Sequence, residues 1–166
     1  MVYALTTNLL IAFILGILPV SEIRGGVLYV FATSSDMYSA IQGLVTSLLG
    51  NLLVPFIAYK LLDLLDTAFK SKYTPNIIKK IYLLILEYSR RKTRNISGKG
   101  YAALIVFVAI PFPATGAWTG TLVAYVLGFN RKKAILAIEL GVLIATIIVT
   151  FTVFLGIGVL KHIFLL

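Results

Sequence analysis

Two proline- and glycine-bearing breaks, each set inside an apolar run, constrain this chain more than any other feature. One of them reads Pro111-Phe112-Pro113-Ala114-Thr115-Gly116-Ala117-Trp118-Thr119-Gly120-Thr121, between apolar residues 102–110 and 122–129. A helix does not continue through two prolines and two glycines this close together. Neither flank is long enough to cross a bilayer alone, which takes roughly 20 apolar residues. Non-helical backbone at membrane depth is tolerated only where protein buries it or where it lines a cavity. The stretch is therefore expected to be the tip of a re-entrant hairpin, and half of a site. The other half is Leu18-Pro19-Val20-Ser21-Glu22-Ile23-Arg24-Gly25-Gly26, which has the same plan. A long apolar run enters it, Pro19 ends that run, polar residues and glycines follow, and the short apolar run 27–32 leaves.

Each break is followed by one apolar stretch long enough to cross, 38–59 and 134–160. A hairpin and then a crossing, twice over, is an internal repeat. The chain is 60% hydrophobic with a mean hydropathy of +1.00. Its 166 residues suit one polytopic membrane domain and leave no room for a soluble catalytic domain. The expected divisions are repeat one over 1–60 (hairpin 3–33, crossing 38–59), a basic linker over 61–100, and repeat two over 101–166 (hairpin 101–129, crossing 134–160). Pro55 is expected to kink the first crossing near its end. The N-terminus lacks a basic region and a small-residue cleavage site, so it does not read as a removable signal peptide.

The net charge of +9 stands in blocks beside apolar segments. Residues 60–100 carry ten Lys and Arg against Asp63, Asp66 and Glu87, and Arg131, Lys132 and Lys133 form a second basic group. This is the cytoplasmic bias of basic residues, with contact to anionic lipid headgroups, rather than a nucleic-acid surface. Both basic regions fall on one side only if each hairpin returns to the side it entered. Both termini then lie outside the plasma membrane, the basic loops are cytoplasmic, and the two repeats are inverted. Inverted repeats with broken helices meeting near the midplane are an architecture of secondary transporters. Within the linker, Thr74-Pro75 is a helix start. Ile77, Ile81, Leu84 and Tyr88 recur at helical spacing opposite Lys79 and Lys80, which predicts an amphipathic helix over 75–92. It would lie on the membrane or pack under the bundle. A basic partner-binding helix is the other reading.

The fold class is thus all-α polytopic: an inverted repeat of two units, each a re-entrant hairpin followed by a long transmembrane helix, with a basic amphipathic cytoplasmic helix between them. The two breaks resemble those of the Putative small multi-drug export protein family, which is similar in architecture to the DedA/VTT-domain membrane proteins. The resemblance covers nearly the whole chain. It implies an inverted-repeat transporter, and among the DedA-like relatives ion- or proton-coupled movement of lipid phosphates or phospholipids. The second tip departs from those relatives in carrying no acidic residue and no arginine.

Glu22 and Arg24 are the sharpest candidates for a substrate or ion site. An ionisable side chain at membrane depth costs about 2.5–3.5 kcal/mol on insertion scales, so it usually pairs and usually functions. Arg24 can fork two hydrogen bonds to a phosphate or carboxylate. Glu22 can carry a proton, or simply neutralise Arg24. Ser21, Thr115 and Thr119 supply hydroxyls, although such residues often bond their own backbone. Trp118 can stack on a substrate or fill a gap. Gly25 lies at the start expected for the first outgoing helix, and Gly116 at that of the second. Helix N-termini there would present free N–H groups to an anion. Gly116 and Gly120 also suit close helix approach. Glu139, about 9 Å along the helix from Lys133, faces the site or reaches back toward Lys132. Pro19, Pro111 and Pro113 make the breaks.

With no cysteine and a single histidine, His162, the chain offers no metal-ligand cluster, no cofactor motif and no nucleophile with a base, so an enzyme is not expected. The expected function is a secondary transporter of an amphipathic, anionic substrate such as a lipid phosphate, with a coupling ion and a homodimer among its partners. The alternatives are export of cationic or amphipathic drugs, and an uncoupled lipid scramblase or membrane organiser.

Overall fold

The computed structural model describes residues 2–71, 75–92, 98–112 and 114–164. Pro113 and the helix start at Thr74 lie outside the described residues, and the side chain of His162 is likewise not described. The fold is all-helical among the described residues: α1 (Val2–Ile17), α2 (Glu22–Thr33), α3 (Met37–Lys70), α4 (Asn76–Lys92), α5 (Gly98–Ala109), α6 (Ala117–Val126) and α7 (Arg131–Phe164).

Breakers and caps set these bounds. Leu18 and Ile110 each precede a proline, which pushes them out of the helical region, and α1 and α5 stop one residue before them. α3 begins at a capping box: Asp36 accepts from the Ser39 N–H at 2.9 Å, and the Ser39 hydroxyl faces the Asp36 N–H in return. α7 begins after Asn130, whose side chain accepts from the Lys133 N–H at 3.3 Å.

Among the described residues, only α3 and α7 are long and apolar enough to cross a membrane. At 34 residues each they span about 51 Å, against a hydrocarbon core of about 30 Å. The 12-residue α2 and α5 and the 10-residue α6 fall short at about 15–18 Å. Large apolar side chains such as Leu49, Phe56, Leu140, Ile147 and Phe151 are half exposed or more along α3 and α7, a surface suited to lipid. The chain is a membrane protein by this composition and exposure.

The first crossing runs past its expected end at 59. Pro55 sits inside a helix that continues to Lys70. No breaker follows it, and Lys70 pairs with Asp66 one turn earlier at 2.7 Å. Arg131 at the start of α7 pairs with Asp63 at 2.9 Å and lies 4.7 Å above the Tyr59 ring, tying this extension to the second long helix. α4 packs back on the extension: Tyr82 stacks on Phe69 at 5.0 Å and donates to Asp66 at 2.7 Å. Ile77, Ile81, Leu84 and Tyr88 all point away from the bundle, which α4 meets instead through Tyr82 and the buried Leu86.

Packing follows a regular scheme. α1 lies on α3 as α5 lies on α7, α1 touches α2 as α5 touches α6, and α2 rests on α3 as α6 rests on α7. Each short outgoing helix also reaches the other half, α2 against α7 and α6 against α3. Exchanging the first three helices for the last three leaves this set of contacts unchanged. Glycines permit the approach. A Cβ on Gly50 would fall 2.5 Å from the Phe13 carbonyl oxygen in α1, and one on Gly141 would fall 2.6 Å from Val108 in α5.

Candidate functional site

The two breaks meet and are bonded to each other. α1 ends at Ile17, so its last four carbonyls need donors from elsewhere. Each has one, and each donor differs. Leu18 N–H donates to Ile14 at 3.0 Å, the Ser21 hydroxyl to Leu15 at 2.6 Å, the Asn51 amide to Gly16 at 2.7 Å, and the Trp118 indole N–H to Ile17 at 2.8 Å. The last of these comes from the second break. Trp118 thus caps a helix with its nitrogen while its ring packs on the core around Val54, Val108 and Ile138.

α2 starts at Glu22, earlier than the start expected near Gly25, which places Glu22 and Arg24 in its first turn. Gly25 lies against Ser21 there, where an added Cβ would come 2.4 Å from the Ser21 Cβ. Glu22 is only 6% exposed and adopts φ +47°, uncommon for a residue with a side chain. Its carboxylate points across to the second break. Oε1 accepts from the Trp118 N–H at 3.2 Å, and Oε2 lies so near Gly116 that a Cβ there would be 1.8 Å away. The carboxylate therefore occupies the N-terminus of α6, where the helix dipole and free N–H groups favour negative charge. Gly116 has φ +148° and leaves the room this approach needs.

Arg24 reaches the other side of the same break. Its guanidinium donates to the carbonyls of Phe112 and Thr115, and to the Thr115 hydroxyl at 3.0 Å. Thr115 Oγ lies 2.7 Å from the carbonyls of both Ile110 and Phe112 and shares one hydrogen between them. One side of the second break is thus held by a cation and the other by an anion, both supplied by the first turn of α2.

The structure brings together Ser21, Glu22, Arg24, Gly25, Thr115, Gly116 and Trp118 with the breaks at Pro19 and Pro111. Thr119 is half-buried on α6 and Glu139 half-buried on α7, both outside this network. Asn51 and the carbonyls of Ile17 and Phe112 also belong to it, and the two carbonyls carry no signal in the local pattern. The polar character of Asn51 within an apolar stretch was the one available hint. No group of acidic, histidine or cysteine side chains suited to a metal ion occurs among the described residues.

The register that sets Glu22 against Gly116 also sets Ser21 against Thr115, Gly26 against Gly120 and Asp36 against Asn130. Glu22 and Gly116 both have positive φ but in different regions, +47° and +148°. Gly26 and Gly120 both sit at close helix contacts, on Ser47 and on Val108.

A sequence model of the family described as "Putative small multi-drug export protein" matches residues 22–148. No curated protein and no solved structure matches the chain.

Proposed function

The chain belongs to that family, and from this premise we propose that it is a membrane exporter of small amphipathic compounds whose transport site is the interlocked pair of breaks. The observation that carries the reading is the Glu22 carboxylate seated on the α6 N-terminus. A protein anion held there marks a place where the anionic group of a substrate can sit. In the closed arrangement Glu22 fills the place and Arg24 is spent on the Phe112 and Thr115 carbonyls. A proton on Glu22 removes the charge that the helix terminus attracts. An incoming anion then takes the N–H groups and competes for Arg24, so proton and substrate favour each other's entry. An apolar tail stays in the bilayer beside the short helices.

The architecture proposed is an inverted repeat of two re-entrant hairpins and two crossings. It is supported by the exchange symmetry of the helix packing. Both termini would be outside and the basic segments cytoplasmic, next to anionic headgroups. A DedA/VTT-like architecture is part of the proposal, and lipid phosphates are then candidate substrates.

The family description favours a second reading, export of drugs, cationic ones included. Glu22 would then exchange a proton for the cation. The two readings differ in sign. Thermal shift of the purified protein with polyprenyl phosphate, an anionic phospholipid or a cationic dye separates them at acid and neutral pH. We expect the anions to stabilise, more so at acid pH. Arg24→Ala should abolish this, and Glu22→Gln should keep binding while losing its pH dependence. Preferential stabilisation by the cation at neutral pH, indifferent to Arg24→Ala, would establish drug export instead.

A further inference from the structure

α5 and α7 leave a pocket between them that the two breaks do not use. Its volume is about 410 Å³, within the range of about 300–1,000 Å³ common for ligand sites. Gly98, Tyr101 and Ile105 line it from α5, and Lys133, Leu136 and Leu140 from α7. Spacings of three, four and seven residues put each set on one face of its helix. The Asn130 N–H donates to the Tyr101 hydroxyl at 3.2 Å, which brings the start of α7 beside the start of α5. The pocket therefore has a polar end at Gly98 and Lys133 and an apolar end at Ile105 and Leu140. Its polar end is open: a Cβ on Gly98 would meet nothing within 4 Å. At its apolar end Leu136 and Leu140 are half exposed or more, on the surface suited to lipid.

The polar end favours an anion. Lys133 is exposed, and so is Lys99 beside Gly98. Neither pairs with an acidic side chain among the described residues, whereas Arg131 is spent on Asp63. The first N–H groups of α5 have no partner within the helix, and they add partial positive charge. The Tyr101 hydroxyl accepts from Asn130 and keeps its own hydrogen to donate. The lining residues include no carboxylate. Glu139 falls roughly 110° round α7 from the middle of this face. The first half of the molecule supplies a contrast. In the register that pairs Glu22 with Gly116, Lys133, Leu136 and Leu140 correspond to Ser39, Gln42 and Thr46. Neither the lysine nor the apolar stripe is therefore demanded by packing a short helix on a long one.

We propose that this groove between α5 and α7 binds a phospholipid with an anionic headgroup. The phosphate rests on Lys133 and the start of α5, and an acyl chain lies along Ile105, Leu136 and Leu140. A lysine at the first turn of a membrane-crossing helix stands at headgroup level, where such a phosphate is found. A cationic amphiphile would set its charge against Lys133, and a free phosphate would leave the apolar end uncovered. The site stands independently of what the breaks carry, and none of its lining residues belongs to them.

The test is native mass spectrometry of the full chain in detergent at neutral pH, with phosphatidylglycerol and phosphatidylcholine of the same acyl chains at equal concentration. Phosphatidylglycerol should be retained in preference. Lys133→Ala should lower that preference about fivefold. Lys132→Ala removes the same charge roughly 100° round the helix and should leave the preference nearly unchanged. Gly98→Asp is the second variant: it sets an acid at the mouth in open space, so the fold is kept while the phosphate is repelled. Glycerol phosphate in excess should not displace the lipid. Loss on Lys133→Ala separates this site from the breaks, where Arg24 carries the anion. Equal retention of the two lipids overturns the proposal. So does an equal loss in Lys132→Ala and Lys133→Ala, which reduces the attraction to diffuse surface charge. Displacement by glycerol phosphate overturns the groove and leaves a site for the headgroup alone.

Discussion

The two breaks are built on one plan but divide the labour between them. The first contributes side chains: the Ser21 hydroxyl, the Glu22 carboxylate and the Arg24 guanidinium. The second contributes mainly backbone: the carbonyls of Phe112 and Thr115 on one side, the N–H groups at the start of α6 on the other. The Trp118 indole is its main side-chain return, to the end of α1. A broken helix exposes donors at one end and acceptors at the other, and one acid and one base on the partner satisfy both. The second break can therefore do without charge because the first carries both signs. Absence of acid and arginine from the second tip reads as division between halves, and it makes the two tips non-interchangeable.

The most disruptive way to break this pairing is Gly116→Ala. The backbone there has φ +148°, and the new Cβ would meet Glu22 Oε2 at 1.8 Å. Strain of about 1–3 kcal/mol and overpacking of about 1–3 kcal/mol act together. We expect a Tm drop of many degrees or loss of a monodisperse detergent peak. Gly98→Ala, where nothing lies within 4 Å, is the control and should stay within about 0.5 kcal/mol of wild type. Equal tolerance of both substitutions would show that Glu22 does not rest on the α6 terminus.

Arg24→Lys comes next. The ammonium keeps the charge but loses the planar fork that reaches the Phe112 and Thr115 carbonyls together. Leaving one carbonyl unmet should cost about 1–3 kcal/mol, read as a fall in Tm, with loss of transport. Wild-type stability and activity in this variant would reduce Arg24 to a countercharge for Glu22.

Trp118→Phe sharpens the comparison from the other direction, since it removes the second break's side-chain return. The ring volume stays nearly filled while the Ile17 carbonyl loses its donor. A cost of about 1 kcal/mol follows for one neutral bond, rising if the carbonyl stays dry. If Trp118 instead holds substrate by stacking, Phe retains binding and Tm does not move.

Much of this was legible before any coordinates. The prolines at 19 and 111, the run lengths and the two long apolar stretches are local signals, and α1, α5, α6 and α7 start and stop near where they indicate. The candidates Glu22, Arg24, Thr115, Gly116 and Trp118 do meet. Their use of one another was not legible, because it depends on residues some 90 positions apart arriving at one point. Asn51 stands out as a polar residue in an apolar stretch, but its role does not, because its partner, the Gly16 carbonyl, carries no sequence signal. The extension of α3 to Lys70 is not legible locally, because charged residues after an apolar stretch suit a linker as well as a helix. Asp63, Asp66 and Lys70 stay helical through pairing with Arg131 and with one another.

The smallest expected effect concerns the two long helices, which start at the matched caps Asp36 and Asn130. Both side chains accept from the N–H three residues on, at 2.9 Å for Asp36 and 3.3 Å for Asn130. They differ in charge, and so only one of them feels pH. The Ser39 N–H, and then the Ser35 hydroxyl, hold the Asp36 carboxyl below the usual carboxylate range. A group whose pKa is lowered by folding contributes stability above its unfolded value, and that contribution is lost as pH falls through the folded one. Asp36 is fully solvated, so water and salt screen the contribution. Asp36→Asn should give a chain capped alike at both long helices, with nearly wild-type Tm at neutral pH. Its Tm should fall less than the wild type's on acidification, and the gap between the two should narrow in high salt. A neutral-pH loss as large as that of Trp118→Phe would mean that the capping box at α3 does more than begin a helix, and that the two long helices are not equivalent at their starts.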